Sequence, residues 1–63
     1  MAEALVLVRY SESGVLQLVG MVYNNKNELV DLQHETANVW EEVTKFVRKI
    51  YRKHNVKPTI QFV

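Results

Sequence analysis

The sequence contains no cysteine. That absence removes disulfides, thiolate catalysis and every cysteine-based zinc site, and it fits a reducing compartment. Proline occurs once and glycine twice. These are too few for a flexible linker or for the glycine-rich loop that cradles phosphates. No long hydrophobic run is present. The longest, Ala4 to Val8, falls far short of the roughly 20 residues a membrane span needs. Glu3 precedes that run where a signal peptide would carry basic residues. No signal peptide is therefore expected, and the expected location is cytoplasmic. Acidic residues stop at Glu42, leaving the last third of the chain without one.

What is present is an ordinary globular mixture, 48% hydrophobic and 24% charged, which argues against disorder. No repeat or low-complexity tract divides the chain, so residues 1–63 read as a single domain. A domain of this size buries only about 60% of the surface its unfolded chain exposes. Small domains commonly offset that with disulfides, a metal or a partner subunit.

Ala4 to Tyr10 is rich in β-branched and aromatic residues and predicts a first strand. Ser11-Glu12-Ser13-Gly14 predicts a turn, with Gly14 available for positive φ. Val15 to Tyr23 predicts a second, antiparallel strand, in which Gly20 marks a bulge or the close approach of another backbone. Asn24 to Asn27 predicts a second turn, and Leu29 to Gln33 a short third strand. The helix has the clearest signal. Val39, Trp40, Val43, Phe46, Val47, Ile50 and Tyr51 fall within an arc of about 140° at helical spacing. Asn38 and Glu41 have capping-box spacing, with Thr36 as a rival N-cap. Glu35, Glu41 and Glu42 near the start and Arg48, Lys49, Arg52 and Lys53 toward the end suit the helix dipole. Asn55 is the expected C-cap, and Pro58 forbids continuation. Thr59 to Val63 alternates and predicts a final edge strand with Ile60 and Phe62 facing the core.

The fold class is therefore α+β, in the order β-β-β-α-β. A right-handed crossover returns the last strand parallel to the first, giving a small mixed sheet of order 3-2-1-4. One amphipathic helix packs on one face.

The first two strands are apolar on both sides, and such strands are normally covered on both sides. One helix covers one face, so something outside the chain is expected on the other. A second copy is the simplest occupant, since most oligomers are symmetric dimers. A protein partner is the alternative. Val6, Val8, Val15, Val19 and Met21 are the expected interface residues.

Charge is unevenly placed although the net is only +1. Residues 1–44 carry two basic and seven acidic side chains, a net of −5. Residues 45–63 carry six basic side chains and no acid, a net of +6. Lys45, Arg48, Lys49 and Arg52 fall within about 100° of one another, opposite the apolar stripe. Lys53, His54 and Lys57 extend the strip past the helix end. Such strips bind phosphate by counterion release. A charged outer face also keeps a helix soluble, and Glu41 or Glu42 can pair with Lys45 or Lys49. Solubility alone leaves the missing acids unexplained.

Other chemistries lack their parts. His34 and His54 have no metal-ligand spacing, so no metal or cofactor is expected. Asp31 is the only aspartate, and Glu41 and Glu42 diverge by about 100° on the helix. Ser11 and Ser13 are turn formers without a neighbouring His. No catalytic residue is assigned. The aromatic residues Tyr10, Tyr23, Trp40 and Tyr51 lack an RNA-binding signature and read as packing.

The predicted topology is similar to the front part of ribonuclease-H-like folds, and its hairpin, helix and parallel strand also occur in β-grasp domains. The likeness is topological and carries no activity with it. A ribonuclease-H-like nuclease places acids on its first and last of these strands, whereas Leu5 to Tyr10 and Thr59 to Val63 carry none. The reading that follows is a small, non-enzymatic, dimeric binding protein. Lys45, Arg48, Lys49, Arg52, Lys53 and Lys57 would face nucleic acid. The alternative is a regulatory or inhibitory module binding a protein through its apolar sheet face.

Overall fold

A computed structural model describes residues 2–63. Strand β1 (Glu3–Tyr10) pairs antiparallel with β2 (Leu16–Tyr23), which pairs antiparallel with β3 (Leu29–Ala37). Helix α1 (Trp40–His54) crosses back over the sheet, and β4 (Thr59–Phe62) lies parallel to β1. The strand order is β3-β2-β1-β4, the order the pattern predicts.

Both turns form through the residues expected of them. Ser11 N–H donates to Val15 O at 3.0 Å and Gly14 N–H to Ser11 O at 3.1 Å, with Gly14 at φ 83°. Asn24 Oδ1 accepts the backbone N–H groups of Lys26 (2.8 Å) and Glu28 (3.0 Å), and Asn27 takes φ 61°. These are the side-chain–backbone bonds that make Asn a turn residue.

Strand β3 runs to Ala37, past the expected end at Gln33. Its extra residues are Glu35 and Thr36 among others, which carry no apolar alternation, and pairing with β2 holds them extended. Glu35 is thus a strand residue and takes no part in the helix start. The helix cap also differs. Val39 is the N-cap and makes no side-chain bond. Glu42, three residues on, accepts the Asn38 backbone N–H at 3.0 Å, half of a capping box shifted by one position. At the other end Asn55 adopts the left-handed conformation and donates to Tyr51 O at 2.7 Å, as expected of the C-cap.

Val43, Phe46 and Ile50 of α1 sit on Ala4, Val6 and Val8 of β1 and Leu18 and Val22 of β2. Gly20 lies beneath the helix. A Cβ there would collide with Ile50 Cδ1 and stand 3.1 Å from Phe46 Cζ. Its role is to admit helix side chains, not another backbone. The bulge is elsewhere, between Val22 and Tyr23, where Val30 is the extra residue of β3.

The buried stripe of the helix is narrower than its apolar arc. Val39, Trp40 and Tyr51 remain about half exposed. The helix lies mainly against β2 and β3 and meets β4 through Trp40 at its first turn. Ile60 and Phe62 face the helix side, in register with Val6 and Val8, yet they are exposed rather than core.

Candidate interaction surfaces

Cross-strand partners share a face of the sheet, so register decides which face each residue joins. Val6 is opposite Gly20 and Val8 opposite Leu18, so both lie under the helix, 0% and 1% exposed. They are core residues, which corrects their assignment to an interface. Val19 is opposite Leu7 and Met21 opposite Leu5, and these four form the centre of the helix-free face. Val15 is half-buried in the turn before β2. Leu29 and Leu32 widen the open face along β3, Leu32 being 61% exposed. Tyr23 closes one end, its hydroxyl donating to Met21 Sδ at 3.6 Å. Alternation within each strand marks Leu5 and Leu7 as a pair, but only the register joins them to Val19 and Met21.

The outer face of α1 gathers most of the basic residues. Lys45, Arg48, Lys49, Arg52 and Lys53 line one shallow, open surface that has no acidic residue in its lining. Its β3 margin is tied down. Lys49 pairs with Glu35, and Lys53 Nζ approaches Asp31 Oδ2 at 3.2 Å. His54 Nε2 reaches the same Asp31 oxygen at 2.7 Å, and Gln33 Nε2 donates to it at 3.0 Å. The His54 contact, then those of Gln33 and Lys53, hold the Asp31 carboxyl well below the usual carboxylate range. Among the described residues, Lys45, Arg48 and Arg52 make no ion pair. Lys57 is set apart from the strip and lines a different depression with Glu3, Tyr23 and Val56.

A third surface lies between α1 and β4. The Trp40 ring stacks on Phe62, with centroids 5.7 Å apart and planes 18° from parallel. Ile60, on the same face of β4 as Phe62, is also partly exposed. Sequence periodicity places Trp40 and Tyr51 in the core-facing stripe; the offset of the helix from β4 is a tertiary property that periodicity does not carry.

Among the described residues, no group of three or more His, Asp and Glu is arranged to hold a metal ion, and no helix is long and apolar enough to cross a membrane. No family model, curated protein or solved structure matches the chain.

Proposed function

We propose that the protein is a small, non-enzymatic binding protein that presents the outer face of α1 to the phosphate backbone of nucleic acid. The observation that carries this reading is the single acid-free surface shared by Lys45, Arg48, Lys49, Arg52 and Lys53. Arg48 and Arg52 would supply the primary contacts, since neither makes an ion pair, and Lys45, which borders Glu35 and Glu42, would stand at the margin. Lys49 and Lys53 would join them. Their side chains are 57% and 60% exposed, and such surface pairs hold little energy against a competing phosphate. Lys57 would be outside the contact. Recognition through a helix face of long cations, with no base-reading motif, would be largely independent of sequence.

The test is fluorescence anisotropy of labelled single-stranded DNA, double-stranded DNA and RNA over a salt series. Affinity should fall steeply with salt, and the order of the three ligands would name the substrate class. Changing Arg48 and Arg52 together to Gln should weaken binding and lower the magnitude of the salt slope by about 1 to 2, roughly one for each phosphate no longer neutralised. An unchanged slope removes these residues from the interface, and no binding at low salt rejects the reading.

A second reading has its own observation. Leu5, Leu7, Val19, Met21, Leu29 and Leu32 form an apolar face that no element covers among the described residues. Contiguous apolar surface of this kind suits a protein partner, with the chain acting as a regulatory or inhibitory module.

A further inference from the structure

The sheet has two free edges, and they are built differently. The β3 edge carries Asp31, His34 and Glu35 and is broken by the bulge at Val30. Charges and bulges are the devices that keep an edge strand from pairing with another chain. The β4 edge has none of them. Thr59-Ile60-Gln61-Phe62-Val63 carries no charged side chain and no proline, and its register with β1 is unbroken.

The backbone of β4 is also aimed outward at defined positions. Val63 N–H donates to Val8 O at 3.0 Å, so the odd-numbered residues direct their backbone groups at β1. Alternation along a strand then turns the N–H and C=O of Ile60 and Phe62 to the free edge. The side chains of these two residues stand on the helix side, 37% and 66% exposed, and Phe62 stacks on Trp40. The occupant specified by these groups is an uncharged strand with apolar side chains at alternate positions.

We infer that this occupant is β4 of a second copy, paired antiparallel across a two-fold axis through Gln61. In that register Ile60 of one copy lies opposite Phe62 of the other, and each such pair exchanges two backbone hydrogen bonds. The two Gln61 residues meet on the axis, on the opposite face of the sheet. Both Phe62 rings, with the Trp40 rings stacked on them, close over the joint. The two four-stranded sheets become one sheet of eight strands. Charge selects this edge for self-pairing. A β4–β4 joint brings no charged strand residue near its symmetry mate, whereas a β3–β3 joint would set Asp31 and Glu35 close to their own copies. The pairing does not depend on phosphate binding, but it would place both helices on the same side of the joined sheet, doubling the basic surface.

The lack of cysteine allows a direct test by site-specific cross-linking. In this register the Gln61 Cα atoms of the two copies form a non-hydrogen-bonded pair about 4.5 Å apart, within the range a disulfide spans. The full chain should sediment at twice the monomer mass. Gln61→Cys should oxidise to a covalent dimer under mild conditions, whereas Leu32→Cys on the open sheet face should not. Phe62→Pro removes one outward N–H and leaves the β1 ladder untouched, so this variant should stay folded by circular dichroism and sediment as a monomer. A wild-type chain that remains monomeric at millimolar concentration overturns the inference. Cross-linking at Leu32 in place of Gln61 also overturns it and assigns the dimer to the open face. Loss of nucleic-acid binding in a chain that still cross-links at Gln61 would count against the phosphate reading alone.

Discussion

Val6 and Leu7 are consecutive residues of β1. The first is fully buried beneath the helix, and the second is half-buried on the open face. The same alternation runs through β2, where Leu18 and Val22 are buried while Val19 and Met21 are not. Composition does not distinguish the two faces, since both are leucine- and valine-rich. What distinguishes them is fit. The covered face has Gly20 at its centre, which makes room for Ile50 and Phe46. The open face has full-sized side chains throughout and no such recess. The helix docks closely on one face only, and among the described residues no element covers the other.

Substitutions at neighbouring positions can break this comparison. Val6→Asp buries a charge with no partner and should abolish cooperative thermal unfolding, a cost above about 4 kcal/mol. Leu7→Asp should leave the circular dichroism spectrum and melting temperature near wild type, while removing any protein partner that uses the open face. Equal damage from the two would mean that the faces are not distinct. Gly20→Leu should cost about 1 to 3 kcal/mol by overpacking the helix contact. Val19→Leu, one residue away on the open face, should stay within about 0.5 kcal/mol. Chemical denaturation of both variants checks the pair.

At the rim of the covered face Asp31 ties β3 to the helix end through Lys53 and His54. Its carboxyl titrates below its ordinary value in the folded chain. The stability it contributes is therefore fully present above the unfolded pKa of about 3.9 and is lost as pH falls toward the folded value. Asp31→Asn should lower the melting temperature at neutral pH, and the gap from wild type should begin to narrow below about pH 4 and shrink further as pH falls toward the folded value. A gap that does not vary with pH would uncouple the Asp31 charge from stability.

Much of the architecture was legible in the sequence because it is written in local patterns. The turn residues Gly14, Asn24 and Asn27, the helix stripe of Val43, Phe46 and Ile50, and the Asn55 cap each depend on a few neighbours. The strand order followed from connection length and crossover hand. What was not legible depends on relations between elements. Whether Val6 shares a face with Gly20 or with Val19 turns on a single residue of hairpin length, because a one-residue slip exchanges the faces. The length of β3 was hidden because Asp31, Gln33 and Glu35 place polar groups on the covered side, where they meet the helix flank through His54, Lys53 and Lys49. The basic strip was legible as a strip, but its partition was not. Pairing of Lys49 and Lys53, and the separation of Lys57, depend on where the helix comes to rest.

The parallel ladder between β1 and β4 also shapes how the chain folds. Leu5 pairs with Thr59, so this contact spans nearly the whole sequence, whereas each hairpin closes over a short loop. Loop-closure entropy makes the hairpins the early events and the β4 ladder a late one. Only four residues pair there, and the helix gives them little cover. In a single copy the last strand to arrive is thus also the first to fray, and pairing of β4 with a second copy would give its amides the hydrogen-exchange protection they lack in the monomer.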